Sequence, residues 1–176
     1  MTSAVRLIDA PIFLIGFMGS GKSAVGLELA SFLSRAYIDL DREIERTSQK
    51  SIPDLISLKG EAEFRAIESN CLWEVRLRSD AVIATGGGIV LDAGNRLLML
   101  RSGITVWLDA PLELCWSRIA MDRAIRPLAP DRETAETRFH DRLRYYQEAK
   151  LRIEVGEEMS PPTIAQAIVA AIAGLS

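Results

Sequence analysis

The sequence predicts an α/β domain in which a parallel sheet is covered by helices on both faces. Two observations carry this. Short apolar runs alternate with stretches of helical spacing along the chain, the pattern of parallel strands joined by helical crossovers. One such junction lies between Ile12-Phe13-Leu14-Ile15 and a helical stretch carrying Val25, Leu29, Ala30 and Leu33, and it reads Gly16-Phe17-Met18-Gly19-Ser20-Gly21-Lys22-Ser23. Strand, glycine-rich loop and helix form the setting in which G-x-x-x-x-G-K-[ST] is a phosphate-binding loop. Gly19, Ser20, Gly21, Lys22, Ser23 and Ala24 are therefore expected to hold the phosphates of a nucleoside triphosphate. Backbone N–H groups and the helix N-terminus face the anion. Lys22 reaches the β- and γ-phosphates, and the Ser23 hydroxyl holds Mg²⁺.

A chain of 176 residues that is 48% apolar can bury one ordinary core, so residues 1–176 are read as a single domain. The formal charge of −3 weighs against a nucleic-acid or membrane-surface partner. No apolar run approaches bilayer length, and residues 1–10, with Arg6 and Asp9, lack the apolar segment of a signal peptide. Cys71 and Cys115 lack metal-ligand spacing and are expected to be reduced core residues of a cytoplasmic protein.

The elements follow in order. A frayed lead-in over 1–10 precedes a strand at 12–15 and a helix over 22–34. Ala36-Tyr37-Ile38 reads as a second strand ending in Asp39-Leu40-Asp41, with a helix over 41–48 that buries Ile44. Ser51 caps a further helix start, with Pro53 in the first turn. A helix over 60–78 follows, with Phe64, Ile67, Cys71 or Leu72, and Val75 at helical spacing. Ala81-Val82-Ile83-Ala84 is a buried-type strand broken by Thr85-Gly86-Gly87-Gly88. A helix over 93–101 leads to the strand 104–108, and Asp109-Ala110-Pro111 restarts a helix through Leu114, Cys115 and Arg118. Residues 121–132, charged and with two prolines, read as a mobile loop. A helix over 133–150, a strand over 152–155 and a helix opening at Pro161 or Pro162 complete the chain. Trp73, Trp107 and Trp116 are assigned to the core.

Ligands of open parallel sheets sit beyond the carboxyl ends of the strands. Three interruptions fall there: the phosphate loop, Asp39-Leu40-Asp41 and Gly86-Gly87-Gly88. Asp39 is the best carboxylate for the metal, acting through water, because the strand 81–84 ends without one. Asp41 could orient an acceptor hydroxyl or take its proton. Helix-start chemistry is the plainer account of both aspartates. The glycine triplet offers backbone N–H groups and lets a small ligand approach closely, where a plain tight turn is the alternative. Arg65 and Glu68 can pair on one helix face with the guanidinium presented to a substrate anion, or form a solvated surface pair. Of Arg123, Arg126 and Arg132, Arg126 is the most constrained, and a closing loop with an arginine supplies positive charge and excludes water. Arg138, Arg142 and Arg144 on the next helix would favour a carboxylate-bearing acceptor if they faced the cleft. His140 is given no role.

With these motifs assembled, the chain from about Ile12 to Ile172 resembles a shikimate kinase. The resemblance rests on Gly16 to Ser23, Asp39-x-Asp41, Gly60-Glu61-x-x-Phe64-Arg65-x-x-Glu68, Gly86-Gly87-Gly88 and Arg126-Pro127-Leu128. It implies a three-layer α/β/α P-loop kinase with a five-stranded parallel sheet, a lid over about 121–132 and a substrate-binding helical region over about 41–78. It implies transfer of the ATP γ-phosphate to the 3-hydroxyl of shikimate, with Mg²⁺, in chorismate and aromatic amino acid biosynthesis. Lys22 and Arg126 would then hold the transferring phosphate, Ser23 the metal, and Asp39 the metal through water. Asp41 would hold the acceptor hydroxyls or act as base. Arg65, Gly86, Gly87, Gly88 and Arg142 would hold shikimate, Arg142 being chosen because Tyr146 follows at the family's Arg-x-x-x-Tyr spacing. Arg118 resembles the arginine that lies against adenine. The chain departs from the family at Ile56, where a Phe is common, at Ala129, where Arg-Pro-Leu-Leu would end in Leu, and in one extra residue between Arg118 and Arg126. It also departs at Met159-Ser160, where an arginine often precedes the proline. The expected partners are small molecules, without nucleic acid or membrane, and the expected working unit is a monomer. The alternatives are a ligand-sensing module of this fold that does not turn over, and a kinase of another small hydroxy acid or of a nucleoside monophosphate.

Overall fold

Strands Ile12–Ile15 (β1) and Ala81–Ala84 (β3) are buried at every position, which is why both read as continuous apolar runs rather than alternating ones. They are neighbours in a five-stranded parallel sheet of order β2-β3-β1-β4-β5, where β2 is Ala36–Asp39, β4 is Ile104–Asp109 and β5 is Leu151–Glu154. The edge strands β2 and β5 are more exposed, as their composition requires. The computed structural model describes residues 9–121, 128 and 130–175. The three-layer α/β arrangement expected from the sequence is present in them.

The helices are α1 (Lys22–Leu33), α2 (Leu40–Ser48), α3 (Ile52–Val75), α4 (Ala93–Ser102), α5 (Leu112–Met121), α6 (Arg132–Tyr146) and α7 (Pro161–Ala173). The chain leaves β1 toward the β2 edge but leaves β3 toward β4, on the other side of β1. Right-handed crossovers running in opposite directions put α1 and α4 on opposite faces of the sheet. The crevice between the carboxyl ends of β1 and β3 is therefore where the connections part, the place such sheets bind ligands. α1 and α7 pack on each other, Leu29, Ile168 and Ile172 among their buried residues. Full burial of each such side chain contributes about 1.5–3 kcal/mol.

Local chemistry sets the boundaries. Ser51, Asp92, Asp131 and Ser160 each accept a backbone N–H from the first turn of the helix that follows. Within α3, Gly60 alone is non-helical, at φ 84 and ψ 165, with open space around the position of a side chain. The helix thus has a front segment, 52–59, and a rear segment, 61–75, matching the two helix starts read from the sequence.

Three expectations are corrected. Helix α6 ends at Tyr146, not near 150, because Lys150 is drawn to the sheet: its N–H donates to Thr105 Oγ1 at 2.9 Å and its ammonium to the Gly103 carbonyl at 3.0 Å. Helix α3 stops at Val75 rather than 78. Trp73 is 56% exposed rather than core; it lies one residue beyond buried Leu72 on the outer face, with the Arg76 guanidinium stacked 3.4 Å over its ring. A short 3-10 turn over Ile89–Leu91, following the glycine triplet, had no periodic signature.

Candidate active site

The phosphate loop folds around its own lysine. Lys22, 8% exposed, donates from Nζ to the Gly16 carbonyl at 2.9 Å and the Phe17 carbonyl at 2.8 Å. Gly19 must be glycine: its φ is 78, and a Cβ there would sit 2.5 Å from the Cys115 carbonyl oxygen. Arg118, from α5, donates to the Gly19 carbonyl at 3.1 Å and closes over Gly21. Met18, Gly19, Gly21, Lys22, Ser23, Ala24, Asp39, Asp41, Thr85, Gly87 and Arg118 line a cleft of about 290 Å³. Ser20 is fully buried, its Oγ without a hydrogen-bond partner.

Asp39 caps the helix that follows it and also reaches the phosphate loop. Its Oδ1 accepts the Arg42 N–H at 3.3 Å and caps α2, while its Oδ2 accepts the Ser23 hydroxyl at 3.0 Å. The Tyr37 hydroxyl also donates to Oδ2, at 3.2 Å. Asp41 stands in the first turn of α2 and faces the cleft. Burial, with the Glu68 and Asp39 carboxylates adding to it, pushes its carboxyl up to about 6 against the pull of Lys22.

A second cleft of about 260 Å³ lies beside the first. One wall is charged, formed by Asp41, Arg42, Glu45, Arg65, Glu68 and Arg142; another is apolar, formed by Met18, Ile52, Pro53, Ile56, Phe64 and Leu128. The triplet Gly86, Gly87 and Gly88 forms the floor. Met18, Asp41 and Gly87 line both clefts, so the two meet there.

The Arg65–Glu68 pair is not a surface pair. Glu68 is 1% exposed and accepts Arg65 Nη1 at 2.7 Å. Burial pushes the Glu68 carboxyl up, and the Arg65 guanidinium pulls the other way. Glu61 receives Arg65 at 3.2 Å and Arg138 at 3.3 Å, clasping α3 to α6 at the rim. Of Arg138, Arg142 and Arg144 on α6, Arg142 is buried at the cleft, Arg138 stands at the rim and Arg144 is exposed against the Tyr145 hydroxyl. Burial lowers the Arg142 pKa, and the positive charges of Arg65 and Arg138 lower it further. Arg65 Nε and Arg142 Nη2 are buried without partners and border this cleft, an arrangement that an anionic ligand would complete.

The glycine triplet lines the cleft, and the packing around it adds a second reason for glycine at each position. None of the three has positive φ. A Cβ at Gly86 would overlap Glu68 Oε1 and reach 3.0 Å from Asp41 Oδ1, and one at Gly88 would overlap the Arg65 guanidinium. At Gly87 it would press on the Met18 N–H group at 3.1 Å. Three glycines in a row are the space into which charged side chains and the phosphate loop close.

Arg126 lies outside the described residues, as do Arg123 and most of the expected lid. Sequence reading missed Glu45, Ile52, Pro53, Met18 and Tyr146 at this site. Glu45, one helical turn after Asp41, carried a usable signal; Tyr146 received attention only as a spacing mark.

The family model described as shikimate kinase matches residues 18–173. A shikimate kinase of Synechococcus is 40% identical over 172 residues, covering 96% of this chain and 90% of that protein. One of Lactococcus lactis is 42% identical over 159 residues, covering 89% and 94%. The solved structure of a shikimate kinase from Acinetobacter baumannii, in complex with shikimate, superposes with a TM-score of 0.90 at 34% identity, covering 95% of this chain and 94% of the other. Similarity of this degree, over nearly the whole chain and on the fold described above, means that the chain belongs to the shikimate kinase family.

Proposed function

We propose that this protein transfers the γ-phosphoryl group of ATP to the 3-hydroxyl of shikimate, giving shikimate 3-phosphate and ADP. The carrying observation is the meeting of the two clefts at Met18, Asp41 and Gly87. A phosphate gripped by the loop would thereby be brought to an acceptor held in the neighbouring cleft, and positioning of this kind, together with electrostatic stabilisation, is what an enzyme supplies in phosphoryl transfer.

The acceptor cleft suits a small hydroxylated ring acid. Carboxylates at Asp41 and Glu45 line it beside Arg65 and Arg142, a mixed-charge wall that speaks against a polyanionic nucleotide as acceptor. Arg65 and Arg142 would take the carboxylate, Gly86, Gly87 and Gly88 would floor the ring, and Ile52, Ile56 and Phe64 would pack on its face. Asp41 would hold the reacting hydroxyl and accept its proton. Lys22 would bear on the transferring phosphate, joined by Arg126, while Arg118 would lie at the nucleotide end.

The Ser23 hydroxyl and Asp39 carboxylate, 3.0 Å apart, are hard oxygen donors of the kind Mg²⁺ takes. Among the described residues there is no cluster of three or more acidic, His or Cys side chains. That fits an ion completed by nucleotide phosphates and water, with Ser23 contacting it and Asp39 acting through water. When bound, Mg²⁺ supplies neutralisation of charge on the phosphate oxygens. A monomer working in the cytoplasm is the proposed setting, supported by two buried, free cysteines. Among the described residues no helix is long and apolar enough to cross a membrane.

The test is a coupled assay of shikimate-dependent ADP formation. Turnover is expected, and none from folded, ATP-bound protein would overturn the reading; a better acceptor in a screen of hydroxy acids would replace it. Arg65→Ala should raise the acceptor KM about 10–100-fold, the loss of a charged hydrogen bond, with the ATP KM little changed. A thermal-unfolding control accounts for the Glu68 carboxylate left unpaired. An unaltered acceptor KM would show that the guanidinium serves only the fold.

A further inference from the structure

Tyr146 is 1% exposed, at the last residue of α6. Its hydroxyl donates to the Gly87 carbonyl at 2.6 Å, a contact between residues 59 apart in sequence. Its ring stacks on Trp107 of β4, with centroids 6.1 Å apart and planes 21° from parallel. One helical turn earlier on the same face stands Arg142, whose guanidinium also interacts with the Tyr146 hydroxyl. A phenol has one proton to donate and two lone pairs to offer. With the proton committed to Gly87, the lone pairs remain to accept from a donor such as that guanidinium.

Gly87 is the residue common to both clefts on the β3 side, and a Cβ there would lie 3.1 Å from the Met18 nitrogen and 3.4 Å from the Gly16 carbonyl oxygen of the phosphate loop. Its peptide has no side chain to anchor it. The hydrogen bond from Tyr146 fixes the peptide from behind, and the stack on Trp107 fixes Tyr146. We propose that Tyr146 is a positioning residue for the acceptor site, setting both the tilt of the Gly87 peptide and the direction in which Arg142 presents its unpartnered Nη2. It touches neither substrate nor reacting atoms and acts through those two groups. This inference rests on the acceptor assignment above.

Tyr146→Phe removes the hydroxyl and keeps the ring, its burial and its stack on Trp107. The acceptor KM is expected to rise at least tenfold, with the ATP KM within twofold of the parent and kcat lowered less than the KM rises. Amide hydrogen exchange at residues 86–91 should accelerate at least tenfold while protection in α7 is unchanged. A fluorotyrosine at position 146, which restores a hydroxyl, should return both readouts toward those of the parent chain. A Phe variant with unchanged acceptor KM, or with unchanged exchange at 86–91, overturns the proposal. Equal losses toward ATP and acceptor also overturn it, because they would mark a general loosening of the fold. The exchange measurement needs no substrate. A parent enzyme inactive on shikimate therefore sinks the functional reading, and exchange at 86–91 still decides the role of Tyr146.

Discussion

Asp41→Asn is expected to lower kcat by about 10²–10⁴-fold, the usual worth of a positioned proton acceptor, and to leave ATP affinity intact. Asn keeps the size of the side chain and one acceptor oxygen but cannot take a proton at neutral pH. Because burial and the carboxylates of Glu68 and Asp39 raise the Asp41 carboxyl to about 6, the parent enzyme should also show an acidic limb. The active form is deprotonated, so kcat/KM for the acceptor should fall about tenfold per unit below pH 6 and level off above it. The Asn variant should lack that limb. Stability runs the other way. A carboxyl raised in the folded state favours folding while it is protonated, and that contribution is lost as pH rises from near 4 through about 6. A rise from 3.8 to about 6 corresponds to about 3 kcal/mol at most. Asp41→Asn should therefore melt higher than the parent at pH 7, with the difference closing near pH 4. An unchanged kcat would remove Asp41 from the chemistry; an unchanged pH profile in the variant would assign the limb to another group.

Lys22→Ala should cost about 10²–10³-fold in kcat, the scale for removing one preorganised donor to developing charge. The ammonium donates to the carbonyls of Gly16 and Phe17, which hold it within the loop. Its removal also takes two hydrogen bonds from the loop, and ATP affinity should weaken with the rate. Lys22 lines the nucleotide cleft and not the acceptor cleft. Calorimetric binding of shikimate without nucleotide should therefore match the parent. Parent-like turnover in Lys22→Ala would refute the assignment of the loop, and lost shikimate binding would show that the two clefts are not separable.

Much of this architecture was legible because its signals are local. Continuous apolar runs marked β1 and β3, Ser51 and Pro53 marked the start of α3, the proline pair marked that of α7, and the loop from Gly16 to Ser23 carried its own signature. Contacts that depend on packing between distant segments were not. The alternatives for Arg65 and Glu68 differ only in burial, and Glu68 is buried where α3 packs it against Gly86, beyond the end of β3. The glycine triplet pointed to ligand approach, but not to the packing of Glu68, Asp41 and Arg65, side chains from other elements, against its Cα atoms. Trp73 was assigned to the core by residue type, but helical phase sets it outside, beside buried Leu72. Lys150 looked like the end of a helix because its pull toward Thr105 leaves no periodic trace.

The break at Gly60 gives the long α3 two separate kinds of freedom to change. Residues ahead of it, Ile52, Pro53 and Ile56, supply apolar contour to the acceptor cleft; those behind it, Glu61, Arg65 and Glu68, are tied into ion pairs. A substitution in the leading stretch meets an open bend before it meets that charged lattice. Drift there can retune which ring shape is admitted while the grip on the acid group stays as it was, so divergence in substrate preference has a short, inexpensive stretch of chain in which to begin.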